Sequence, residues 1–157
     1  MNDLLFKIYE LVPAKLRKTL TQTGIFNPLK RFVAGSSRGL RHVTVDVLWN
    51  GAVKFKFHAP IKIADKAKNR GIENTLLRNS LRLLGNTKNA NVLDVGCNYG
   101  FLSSVWALSH QVATVHAFEP HAEICNSVRK TIQMNGLDNK LFLHQKAVGS
   151  MNKTVDM

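Results

Sequence analysis

Three rhythms of apolar and polar residues succeed one another along the chain. Between residues 3 and 20, Leu4, Leu5, Ile8, Leu11 and Leu16 form a partial stripe at helical spacing, broken by Pro13 and flanked by Lys7, Lys15, Arg17 and Lys18. An amphipathic basic helix in two pieces is expected there. Gly35 to Gly39, GSSRG, is short and polar and reads as a linker. From His42 to His58 the period shortens to two. Val43, Val45 and Val47 alternate with Thr44, Asp46 and Leu48, and Val53, Phe55 and Phe57 alternate with Lys54, Lys56 and His58. Asn50-Gly51 lies between the runs, and a type I′ turn needs positive φ at both central positions, so the pair predicts a β-hairpin. His42 and His58 fall at its open end, where, with no third ligand in view, surface positions are a better reading than a metal site.

The lysine-rich stretch after Pro60 reads as a polar connection. GIENTLLRNSLRLLG then spaces Leu76, Leu77, Leu81, Leu83 and Leu84 for a helix stopped by Gly85 at the C-cap. Glu73, near its start, complements the helix dipole. Beyond residue 90 strands and helices alternate: NVLDV over 91–95, a helix over 99–110, VATVHAF over 112–118, a helix over 121–134 ended by Asn135-Gly136, and LFLHQKAV over 141–148. The expected fold is α/β, a Rossmann-like doubly wound parallel sheet truncated after its third strand and preceded by N-terminal helices and a β-hairpin. Three segments follow: a basic helical leader and linker over 1–41, hairpin and lead-in helix over 42–90, and the first half of a cofactor-binding domain over 91–157. A sheet that stops there leaves NVLDV with an open apolar edge, which natural proteins usually avoid. The chain therefore reads as a fragment whose acceptor pocket and any catalytic base lie outside it.

Composition narrows the classes. Hydrophobic residues at 45% and charged residues at 20% of 157 suit one soluble core. Cys97 and Cys125 are too few for a disulfide framework, and no Cys/His cluster has zinc spacing, so a cytoplasmic setting and no metal are expected. The N-terminal apolar groups are too interrupted for a signal peptide or a membrane span. Residues 1–90 hold 17 Lys/Arg against 5 Asp/Glu, while residues 91–157 hold 5 of each, so the whole net charge of +12 lies in the first part. A solvated helix face accounts for this most simply, peripheral contact with an anionic membrane comes next, and nucleic acid comes last because aromatic residues are not interleaved with the basic ones.

The chemistry gathers after NVLDV. Gly96 and Gly100 bracket a turn into the apolar run FLSSVWALSH, a junction where a ligand can approach the main chain. Ligands of open α/β sheets bind beyond the carboxyl ends of the strands, and the first two strands end in acids, Asp94 and Glu119. Glu119 is placed to accept ribose hydroxyl protons. Cys97 and Asn98 stand where a dinucleotide fingerprint needs its second glycine, and Asp94 would repel phosphates, so an adenosyl ligand bearing an ammonium group is favoured over a pyrophosphate.

NVLDVGCNYG, HAFEPHAEICNSVRKTIQMNG and LHQKAVGS together resemble the class I S-adenosylmethionine-dependent methyltransferases and, within them, the FkbM-type family, over residues 72–150. That resemblance implies that Asp94, Gly96, Cys97, Asn98 and Gly100 hold the methionine and ribose portions of S-adenosyl-L-methionine. It implies that Glu119 binds the ribose hydroxyls and that Ala147, with Lys146 and Val148 at the end of the third strand, lies near the adenine. Cys97 stands where the family often has alanine and reads as packing. The implied activity is O-methylation of a sugar, glycan or natural-product hydroxyl, with a small-molecule or glycan acceptor as partner. Two other classes stay open: a non-catalytic module using the basic N-terminus on a lipid surface or nucleic acid, and a nicotinamide-dependent oxidoreductase.

Overall fold

The alternating stretch after residue 41 is a hairpin, the first element of the computed structural model, which describes residues 42–150. The expected leader helix over 3–20, the linker over 35–39 and the residues beyond 150 lie outside the described residues. Strand β1 (His42–Trp49) pairs antiparallel with β2 (Val53–Pro60), with Val45 opposite Phe57 and Val47 opposite Phe55. Asn50 and Gly51 both take positive φ, 50° and 70°, and the Ala52 N–H donates to the Trp49 carbonyl at 3.1 Å. The Asn-Gly turn thus makes the reversal, with Ala52 as one extra residue before pairing resumes. Val43, Val45, Val47, Trp49, Phe55, Phe57 and Ala59 are buried on one face.

The lysine-rich stretch after Pro60 is a helix rather than a connection. Helix α1 (Ile61–Arg70) packs against the hairpin with Ala64 and Ala67 buried. Two alanines bring its axis close to the strands but carry almost no hydrophobic signal, and the lysines around them dominate the sequence pattern. Helix α2 (Asn74–Leu84) follows. Of its expected leucine stripe, Leu77 is fully buried, whereas Leu76 and Leu83 are 49% and 85% exposed, so the face in contact is narrower than the leucine count suggested.

The α/β part comprises β3 (Ala90–Val95), α3 (Phe101–Leu108), β4 (Val112–Phe118), α4 (Ala122–Met134) and β5 (Leu141–His144). The three strands form a parallel sheet in the order β3-β4-β5, the expected Rossmann-like arrangement. β5 is half as long as its apolar run indicated. After His144 the Lys146 N–H turns back to the His144 carbonyl at 2.8 Å, and residues 145–150 are exposed. Lys146, Ala147 and Val148 therefore lie beyond the third strand, not on it.

Helix α3 is buried nearly all round because it is covered twice, by the sheet and by the hairpin. Its first residue, Phe101, meets Phe55 and Phe57 with ring centroids 5.5 and 5.4 Å away. Helix α4 is tied to β2 by the His58 N–H donating to Thr131 Oγ1 (3.1 Å) and the Lys56 N–H donating to Asn135 Oδ1 (2.8 Å). On the helix-covered side of the sheet Val115, Ala117 and Leu141 are buried. On the other side Leu93 and Val95 are 70% and 61% exposed beside a ladder of stacked rings formed by His116, Phe118, Phe142 and His144. The open apolar edge expected for the first parallel strand is present in β3 among the described residues.

Candidate functional site

The turn from β3 to α3 is fastened to β4 by its own main chain. The N–H groups of Gly96 and Cys97 both donate to the Phe118 carbonyl, at 2.9 and 3.0 Å, and the Asn98 N–H donates to Glu119 Oε2 at 3.1 Å. Three successive donors are thereby used inside the protein, so this turn is not a phosphate cradle of outward-facing amides. Gly96 and Gly100 are both left-handed, φ 77° and 73°, yet they serve different ends. A Cβ at Gly96 would meet nothing within 4 Å, which leaves the main chain open to a ligand, whereas one at Gly100 would lie 3.0 Å from Val128 Cγ1 of α4. Gly100→Ala is accordingly expected to destabilise the protein by about 1–3 kcal/mol, from the strained φ and the contact together, read as a lower urea midpoint at unchanged slope.

Two carboxylates face the turn. Asp94, next to last in β3, accepts a hydrogen bond from Ser103 Oγ in the first turn of α3. Burial raises its pKa, the Ser103 bond opposes that rise, and the charge of Glu73 adds to it. Glu73 is the N-cap residue of α2, with φ 47° and no side-chain cap bond, so its nearness to Asp94 is the feature that matters here. Glu119, 6% exposed, accepts from the Asn98 N–H through Oε2 and from the His121 N–H through Oε1 (3.0 Å). It thus links the glycine turn to the start of α4. Cys97 is buried, and burial first, then the charges of Asp94 and Glu119, pushes its thiol up to about 12. It stays protonated at neutral pH and cannot act as a nucleophile there.

Tyr99 is a neighbour that the sequence did not single out. Its ring centroid is 6.0 Å from that of His42, and burial, followed by Glu123 and Glu119, raises its pKa. His42 and His58 are both half-buried at the open end of the hairpin. Their rings stack 5.6 Å apart, His58 Nδ1 lies 2.9 Å from Thr44 Oγ1, and His42 Nε2 is buried. Among the described residues no group of three His, Cys, Asp or Glu could hold a metal ion. The structure therefore brings Asp94, Gly96, Cys97, Asn98, Gly100 and Glu119 together, adds Glu73, Tyr99 and Ser103, and leaves Ala147 exposed beyond β5. Ser103 and Glu73 lie on separate helices, and no local spacing announces that both act on Asp94.

A family model described as Methyltransferase small domain matches residues 74–157. No curated protein matches the chain. Among solved structures, Pyrococcus horikoshii TYW2 in complex with MeSAdo is similar at 13% identity and a TM-score of 0.50, over 94% of this chain and 64% of that one. The C-terminal domain of precorrin-6Y C5,15-methyltransferase from Rhodobacter capsulatus is similar at 20% identity and a TM-score of 0.42, over 50% of this chain and 42% of that one. The chain thus spans less than two thirds of the length of either structure. At 13% identity the likeness to the first of these is one of fold.

Proposed function

The chain belongs to the methyltransferase small domain family, and from that premise we propose that the turn after β3 binds S-adenosyl-L-methionine as part of an O-methyltransferase. The observation that carries this is the open main chain at Gly96 between two carboxylates, Asp94 and Glu119. Acids at the turn repel a pyrophosphate and suit a ligand with an ammonium group, a sulfonium and a ribose. The residues fit such a ligand. Asp94 would face the ammonium and the backbone from Gly96 through Cys97 and Asn98 to Gly100 would receive the methionine and ribose portions, whereas Ala147, exposed beyond β5, is not part of this group. Glu119 retains acceptor capacity, since a carboxylate offers about four lone-pair sites and two backbone donors use two of them. The cofactor supplies a methyl group activated on a positively charged sulfur. This part of the chain binds and orients, and a base is needed only where the acceptor is a hydroxyl. The finer reading, an FkbM-type enzyme acting on a sugar, glycan or natural-product hydroxyl, is supported by Asp94-x-Gly96-x-Asn98-x-Gly100 and by Glu119-Pro120.

Asp94→Asn tests the site with opposite effects on binding and stability. The folded protein holds this carboxyl above its ordinary value of 3.8, so the native state binds more protons than the unfolded one between the two pKa values. Stability therefore falls as pH rises through that window, and ionised Asp94 is held at a cost to the fold. Asparagine removes that cost. The expected result at neutral pH is an unfolding midpoint at or above that of the parent, with S-adenosylhomocysteine bound about tenfold more weakly by calorimetry. In the parent, affinity for this ligand is expected to fall as pH drops through the raised pKa and the carboxylate is neutralised. A parent chain that does not bind, or a variant that binds as tightly, removes the reading.

A further inference from the structure

The turn end of the hairpin and the two helices that follow it enclose a cleft of about 240 Å3, lined in part by Trp49, Asn50, Lys68, Arg70, Asn74 and Arg78. Three cationic residues border the cleft and no Asp or Glu does. Arg70 and Arg78 make no ion pair among the described residues, where Lys56 pairs with Asp46. The dipole of α1 accounts for Lys68 and Arg70 in its last turn. It does not account for Arg78, which lies in the N-terminal half of α2, where a cation gains nothing from the helix dipole.

The wall between these groups is fixed. The Asn74 carboxamide accepts from Trp49 Nε1 at 2.9 Å and donates to the Arg70 carbonyl at 2.6 Å. Gly71 takes φ 71°, and a Cβ there would collide with that carboxamide. Asn74 is thus committed to structure, whereas Arg70 and Arg78 supply positive charge at the cleft's border, unpaired among the described residues. Two arginines bordering one cleft whose lining includes no carboxylate suit a tetrahedral oxyanion.

We propose that this cleft is an oxyanion subsite that seats the phosphate of a phosphorylated small-molecule acceptor. The link to methyl transfer is α2. Asn74 lines the cleft, and further along the same helix Ser80 accepts from Trp106 of α3, the helix that opens from the glycine turn. The basic cleft is therefore joined through α2 to the helix that opens at the acidic turn, the turn suited to a cationic cofactor and the cleft to an anionic acceptor. The assignment to an acceptor rests on the cofactor reading above, whereas oxyanion binding does not.

The test is a titration of inorganic phosphate into the 157-residue chain, labelled with 15N and held at constant ionic strength. The chain has two tryptophans. Trp49 lines the cleft, and Trp106 is buried and donates to Ser80 Oγ at 2.9 Å. The expected result is a saturable shift of the Trp49 indole N–H signal with the Trp106 signal unmoved. The double variant Arg70→Ala/Arg78→Ala is expected to raise the half-saturation point about fivefold or more while S-adenosylhomocysteine binding stays at the parental value. No saturable shift at Trp49, or the same half-saturation in the double variant, overturns the subsite. Phosphate binding in a chain that does not bind S-adenosylhomocysteine keeps the oxyanion site and overturns its assignment to the acceptor. A single-stranded oligonucleotide that displaces phosphate at far lower phosphate equivalents overturns the small-molecule assignment in favour of a polymer backbone.

Discussion

Glu119→Ala is expected to cost the fold about 2–4 kcal/mol and to abolish measurable binding of S-adenosylhomocysteine. The side chain is 6% exposed, and its two oxygens accept from two main-chain donors, Asn98 N–H at 3.1 Å and His121 N–H at 3.0 Å. Hydrogen bonds to a charged acceptor are worth about 1.5–3 kcal/mol each, and truncation leaves both donors without their acceptor. It also removes the carboxylate proposed to bind the ribose. Glu119→Gln keeps an acceptor for one donor but turns an amide toward the other, so its effect should fall between parent and alanine. Urea unfolding followed by circular dichroism reads the first effect, and calorimetry with S-adenosylhomocysteine reads the second. An alanine variant within about 0.5 kcal/mol of the parent that also binds like the parent would show that Glu119 neither braces the turn nor binds ligand.

Phe57→Ala is expected to lower stability by about 3–5 kcal/mol. The residue is fully buried, and its ring meets Phe55 at 6.2 Å and Phe101 at 5.4 Å, both edge-on. Phe101 opens α3 directly after Gly100, so the hairpin supports the same helix start that the glycine turn depends on. The loss should therefore appear in one cooperative transition shared by hairpin and sheet, with the far-UV signal and tryptophan fluorescence falling together. A separate early transition confined to the hairpin, or a cost below about 1 kcal/mol, would make residues 42–60 an appendage and refute this coupling.

The hairpin was legible because alternation and Asn50-Gly51 are local signals, and local chemistry settles them. The three parallel strands were legible for the same reason, each being a short apolar run between helical stretches. Helix α1 was not, because its contact face is Ala64 and Ala67 and its exposed face is lysine-rich, so hydrophobic periodicity is weakest where packing is closest. The third strand was read too long because Ala147 and Val148 continue its apolar character. What ends it is loss of pairing after Phe118 meets His144, since β4 offers no further partner. Around the glycine turn, Asp94, the two glycines and Glu119 could be brought near one another from the sequence. The donors that occupy Glu119, the Ser103 bond to Asp94 and the influence of Glu73 could not, because each joins residues from different elements.

Fastening Gly96 and Cys97 to β4 and Asn98 to Glu119 also bears on the kinetics of the proposed ligand binding. Ordering a loop costs about 1–2 kcal/mol of backbone entropy per residue, and here three residues are ordered when the sheet forms, before any ligand arrives. If the turn seats the proposed ligand, its prior ordering subtracts little from the free energy of association. Encounter should then be limited by diffusion and orientation of the ligand, with no slow loop-closing phase at this turn.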